Sequence, residues 1–327
     1  MTIIRNLTIT LLPSIFFLTA TQNITYANDS SAVLGAGGLE LTTSHDIAME
    51  SEDLYLSPSE VRVRYAFRNE SQNDITTTVA FPLPEIDQAE YFLVELPEPD
   101  QENFVGFQVI VDGEQIVPRM EQQAVQDDGK NVTEALKEAG VPVNAKLDRW
   151  DEQVRSLPEQ IRKQLVDNGL LYVVAEDAGD QPVQYGPTWK LKTSFYWEQT
   201  FPAGKTIMVE HRYKPIIGKS VVMNVDDLNS MKGYCFNDNT LKGVSKLLEQ
   251  AGSDGITALE MSYILTTGAN WKGPIGEFRL TVNKEDANAV LSSCMAGLSE
   301  TGPTTLGLKR AKFKPEEDIR LLLFEAH

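Results

Sequence analysis

Strict alternation of apolar and polar residues is the feature that most restricts what this chain can become. Over residues 60–68, Val61, Val63, Tyr65 and Phe67 fall on one side, and Arg62, Arg64 and Arg68 fall on the other. Side chains alternate across a strand, so such a run buries one face and wets the other, as antiparallel sheets do. The same period returns in Ile75, Thr77, Val79 and Phe81. It stops at Pro82 and Pro84, because proline cannot donate to a ladder. Val105, Phe107, Val109 and Val111 form a further run. Asp112-Gly113 directly after it predicts a type I′ hairpin, with residues 114–117 as the returning strand. Trp189, Leu191, Phe195 and Trp197 share one face of a later run, and Ile207, Val209, His211 and Tyr213 share one face of the next. The Pro202-Ala203-Gly204 turn between them predicts that these two strands pair as a hairpin.

Between about residues 120 and 184 the period becomes helical. Asn131 and Glu134 have capping-box spacing, Val132, Ala135, Leu136 and Ala139 line one side, and Gly140 and Pro142 end the segment. Leu147, Trp150 and Val154 recur at helical spacing, and Ile161 and Leu165 face inward from a helix opened by Ser156 and Pro158. Lys214-Pro215 marks a boundary. Beyond it Thr240 is expected to cap a helix carrying Leu241, Val244 and Leu248, with strands around Met261, Leu280 and Leu321. The expected class is mainly β, with two β-sandwich-like units and a mostly helical insert in the first. Residues 28–215 would be the first unit and residues 216–327 the second.

Residues 1–27 read as a signal peptide. Arg5 precedes a short apolar run broken by Pro13, and Thr25-Tyr26-Ala27 has the small–any–small form of a cleavage site, making Asn28 the new terminus. The run is too short to span a bilayer comfortably. No later stretch is apolar enough for a membrane span, so none is expected after cleavage. The expected location is periplasmic or secreted. The sequence holds 29 basic and 47 acidic residues, a net charge of −18. A polyanion of this kind repels phosphate backbones, which excludes nucleic acid as a natural partner. Cys235 and Cys294 form an even pair. In an oxidising compartment they predict one disulfide; two buried thiols are the alternative.

The chain lacks a recognisable catalytic apparatus. A Ser-His-Asp site needs a histidine oriented by a carboxylate, and the only histidines are His45, His211 and His327. His211 sits on an apolar strand face and reads as a hydrogen-bonded core residue. No Gly-x-Ser-x-Gly, C-x-x-C or H-E-x-x-H motif is present. Gly35-Ala36-Gly37-Gly38 lacks the ending of a P-loop. No catalytic, cofactor-binding or metal-ligating residue is therefore assigned. Calcium is the one cofactor the composition permits, at Asp127-Asp128-Gly129 or Asn237-Asp238-Asn239, though neither has EF-hand spacing. Trp150 is the candidate contact residue, on the premise that its helix projects from the sandwich and exposes it.

Several strings, in order, resemble a known family: Asn28-Asp29-Ser30-Ser31-Ala32, residues 61–69, Phe81-Pro82-Leu83-Pro84, Phe195-Tyr196-Trp197, Phe201-Pro202-Ala203, residues 211–215 and residues 270–275. Together they resemble the bacterial family catalogued as domain of unknown function 4424, over essentially the whole chain after residue 27. The resemblance implies export and a β-rich fold, supports Cys235 and Cys294 as a pair, and implies no activity. Residues 61–84 also look like the start of the vault/inter-α-trypsin (VIT) domain. The expected function is a non-enzymatic binding or assembly module of the cell envelope, acting on an envelope protein or polymer. A hydrolase using carboxylates on envelope polymers is the alternative.

Overall fold

The computed structural model describes residues 28–35, 38–89, 94–175 and 183–326. The predicted signal peptide and His327 lie outside these residues. Among them the chain forms three larger sheets and one two-stranded ladder. The largest has eight strands in the order Ser299–Glu300, Thr305–Phe313, Ile275–Asn283, Ile47–Leu56, Val61–Asn69, Thr206–Tyr213, Gln108–Val111 and Glu114–Ile116. All its pairings are antiparallel except that of Ile275–Asn283 with Ile47–Leu56, which is parallel. The second sheet runs Arg119–Val125, Lys190–Phe201, Ile75–Pro82, Ser30–Gly35 and Gly38–Thr42, with Ile86–Asp87 also on Lys190–Phe201. The third runs Val290–Ser292, Ile319–Glu325, Ile256–Tyr263, Ile217–Val222 and Val94–Glu95.

The mainly β class and the helical insert are present. The alternating faces are also where the sequence places them: Val61, Val63, Tyr65 and Phe67 are all buried in one cluster with Leu191, Phe195 and Trp197. The Asp112-Gly113 turn has both residues at positive φ, 48° and 87°, as a type I′ hairpin requires.

One pairing differs from expectation. Lys190–Phe201 belongs to the six-stranded sheet and Thr206–Tyr213 to the eight-stranded one, so the Pro202–Gly204 turn is a corner between sheets and not a hairpin. Val61–Asn69 and Ile75–Pro82 divide in the same way. Alternation states which face is buried but not which sheet carries it, and consecutive strands facing each other across a core have the same pattern as hairpin partners. Strand pairing also crosses residue 215. Residues 51–56 pair with 277–282, Val94 pairs with Gly218, and one buried cluster draws on all three sheets. Residues before and after 215 thus contribute to one sheet and one core.

Within the third sheet the strand Ile319–Glu325 is buried on both faces from residue 321 to 324, which explains the continuous run Leu321-Leu322-Leu323-Phe324. Ile319 and Leu321 join the central cluster, while Leu322 and Phe324 pack with Val244 and Leu247 of the helix Asp238–Ala251. That helix starts earlier than expected. Asn237, not Thr240, caps it, with Asn237 Oδ1 accepting from the Asn239 and Thr240 backbone N–H at 2.9 and 3.0 Å. Cys235 and Cys294 lie just outside this layer, their sulfurs 2.08 Å apart at bonding distance. Among the described residues no helix is long and apolar enough to cross a membrane.

The insert begins after Arg119–Val125, which belongs to the six-stranded sheet. It consists of helices Thr133–Glu138, Trp150–Ser156 and Glu159–Asp167 and the ladder of Leu171–Ala175 with Gln184–Pro187. Trp150 is a correction to the expected exposure. It is 2% exposed, packs edge-on against Trp189, and donates its indole N–H to the Pro142 carbonyl at 3.0 Å. A short helix buries its largest apolar side chain when the insert has its own core to fill. Here that core includes Leu136, Val154, Leu165 and Leu171.

Candidate functional site

The most unusual chemistry lies in the centre of the sandwich, built around the residues that open the described chain. Asn28 and Asp29 are both 0% exposed. Asn28 Nδ2 donates to Glu52 Oε2 at 3.0 Å, and the Asn28 carbonyl accepts from Thr267 Oγ1 at 2.7 Å. Asp29 Oδ1 lies 2.9 Å from His211 Nε2, and the Asp29 carbonyl accepts the Trp271 indole N–H at 2.6 Å. Tyr263 donates to Glu52 Oε1 at 3.3 Å, and the Tyr65 and Tyr263 hydroxyls are 2.9 Å apart. Gly268 makes room for this segment, since a Cβ there would stand 2.8 Å from Asn28 Nδ2.

Three layers position these groups. Tyr65 and His211 point inward because their strands alternate regularly. Tyr263 ends a strand of the third sheet, and Thr267 and Trp271 come from the short 3-10 turn after it. Glu52 requires a different cause. In Ile47–Leu56 the buried positions are 47 and 49, then 52, 54 and 56, and the register slips between Met49 and Ser51. This β-bulge reverses the alternation and places Glu52 in phase with Leu54 and Leu56, opposite Tyr65. The neighbouring strand accommodates the bulge with Gly276, where a Cβ would come within 2.4 Å of the Glu50 carbonyl oxygen.

Burial dominates the electrostatics. Desolvation pushes Glu52 up to about 8, against the hydrogen bonds from Asn28 and Tyr263. It also raises Asp29, against the attraction and hydrogen bond of His211. Tyr65 and Tyr263 are raised well above the ordinary phenol range by the same burial and by the nearby acids. Asp29 Oδ2 and His211 Nδ1 are buried without a hydrogen-bond partner. The imidazole sits in an aromatic cage, 5.0 Å from Phe81 and 5.1 Å from Phe107 between ring centres. The sequence placed His211 correctly in the core but did not identify its partner. Nor did it single out Asp29 or Glu52; the phase break between Met49 and Leu54 was the available signal.

Accessible surface lies elsewhere. A cleft of about 700 Å³ opens beside the cluster, lined in part by Glu40, Glu85, Glu121, Lys192, Ser194 and Asn270. Glu121 Oε2 accepts the Leu39 N–H at 2.7 Å, and Glu85 pairs with Lys192 at 2.8 Å. Asn270 joins cleft and cluster by donating to Ser30 Oγ at 3.0 Å. The remaining residues singled out from sequence do not converge here. His45 is exposed, Asp127 pairs with Lys190 at 2.8 Å, Asp128 accepts the Lys130 N–H, and Asn237 caps its helix.

Comparison with known proteins gives little functional guidance. No curated protein matches the sequence. Among solved structures, a "putative nutrient binding protein" from Legionella pneumophila is similar at 14% identity and a TM-score of 0.45, over 91% of this chain and 70% of that one. At the level of families the match is extensive: over residues 27–322 the chain belongs to the family described as Domain of unknown function (DUF4424).

Proposed function

We propose that this protein is an exported binding or assembly module of the cell envelope, periplasmic or secreted, that works without catalysis. The observation that carries this reading is a separation. The acids raised by burial, Asp29 and Glu52, lie in the core, whereas two of the three acids lining the open cleft, Glu85 and Glu121, are already committed to Lys192 and to the Leu39 backbone, and the third, Glu40, is exposed to solvent. General acid–base work needs a perturbed acid within reach of substrate. The leader pattern of residues 1–27 and the Cys235–Cys294 pair support export. The cleft over Asn270 is the proposed contact surface, suited to a polar envelope polymer or protein segment by its mixture of carboxylate, amide, hydroxyl and ammonium groups.

Ser194→Trp tests this by filling the cleft from a strand face that points away from the core. Affinity capture from the native envelope should lose its partner with that variant while thermal stability holds. Equal capture by both proteins would remove the cleft from the account. Release of soluble fragments from purified envelope polymer would overturn the non-catalytic reading.

A further inference from the structure

The interior cluster holds two acids and one base. Two carboxylates, Asp29 and Glu52, share it with one imidazole, His211. Its other members, Asn28, Tyr65, Tyr263, Thr267 and Trp271, are neutral, as is the nearby buried Tyr213. Among the described residues no lysine or arginine pairs with either acid, although cations pair with many acids at the surface. Asp29 Oδ2 is left buried without a hydrogen-bond donor. A buried carboxylate oxygen in that position is costly unless a donor or a cation reaches it.

The residue at this place is Asn28, which the cleavage pattern makes the first residue of the processed chain, and the family match begins beside it at residue 27. We infer that removal of residues 1–27 supplies a second base: the α-ammonium of Asn28, carried into the sandwich with the buried Asn28 and Asp29 side chains, is the buried counter-ion that completes the core. The chemistry is amide hydrolysis by a leader peptidase. Water adds across the Ala27–Asn28 bond, Ala27 leaves as a carboxylate, and the freed amine of Asn28 takes up a proton. An amide nitrogen in the uncleaved chain carries no charge, so the core can be completed only after the leader is removed. This rests on the export reading above.

The full chain, expressed with its own leader and recovered from the envelope fraction, provides the test. Intact mass first locates the new terminus. The protein is then treated near pH 8 with a limiting amine-reactive acylating reagent, native and in urea, and the modified N-terminal peptide is quantified. The expected result is a chain beginning at Asn28 whose α-amine reacts at least roughly ten-fold more slowly in the native state than in urea. A full chain with one glycine inserted after Ala27, processed to begin at that glycine, should label at the unfolded rate and melt at a lower temperature. A chain beginning at Asn28 whose native amine labels as fast as in urea would overturn the inference and leave the export reading standing. Retention of residues 1–27 on the recovered protein would overturn both.

Discussion

Two of the protein's cores are built on different rules. The insert's core is apolar, with Leu136, Val154, Leu165 and Leu171 packed around Trp150 and Trp189. Its two indole N–H groups are satisfied by the Pro142 and Val143 carbonyls. The central core is larger and carries a polar seam through its middle, from Asn28 and Glu52 to the tyrosine pair and from Asp29 to His211. An apolar core tolerates loss of a contact in proportion to the cavity left behind. A polar seam fixes one arrangement, because each member removed leaves another buried and unpaired.

The largest expected effect comes from breaking that seam. Asp29→Ala leaves His211 without its partner and should cost roughly 3–5 kcal/mol, read as a global fall in melting temperature. In the insert, Trp150→Ala should cost about 3 kcal/mol. Its loss of hydrogen-exchange protection should stay within residues 126–188, while Val61–Asn69 keeps its protection. If Trp150→Ala unfolds the central strands in step, the two cores are one and the comparison fails.

An intermediate effect is expected at the bulge. Gly276→Ala drives a methyl group against the Glu50 carbonyl and should cost about 1–3 kcal/mol. If the strain displaces the bulge, near-ultraviolet circular dichroism from Tyr65 and Tyr263 should change as well. An unchanged melting curve would show that the bulge does not depend on a bare position at 276.

A further effect is visible only against pH. Glu52 has an ordinary value of 4.5 and is pushed up to about 8 in the fold without a buried ammonium beside it. The folded state then holds its proton more tightly than the unfolded chain does. That preference is fully present below pH 4.5 and is lost as pH rises to about 8. Glu52→Gln should flatten this decline in chemical denaturation measured across the range. A processed chain whose Asn28 ammonium holds Glu52 ionised should show a shallower decline than the glycine-inserted chain.

The same contrast explains what could be read in advance. The insert was legible because its information is local: spacing at Leu136, Trp150, Val154 and Leu165, with breakers at Gly140 and Gly169, is enough to mark its helices. The capping box at Asn131 and Glu134 did not form, since Val132 takes the cap position, and strands occupy both ends of the expected helical stretch. The exposure of Trp150 was misjudged as well, since spacing cannot show whether a helix meets its own small core or solvent. The strand faces of the central sandwich were legible too. Their partners were not, because Lys190–Phe201 and Thr206–Tyr213 look alike whether they lie side by side or face to face. The polar seam was hidden for a further reason. Glu52 turns inward through a one-residue slip, and Asp29 lies 182 positions from the histidine it contacts.

The parallel ladder joining Ile47–Leu56 to Ile275–Asn283 has a consequence for the timing of assembly. An early strand must wait for a late one, so the middle of the largest sheet cannot close while the chain is still being delivered from its amino end. Until residues near 283 arrive, Ile47–Leu56 offers an open edge, and a fragment ending before Ile275 would keep that edge permanently. Such fragments should collect as aggregates, whereas the intact chain withholds its final architecture until almost all of it is present.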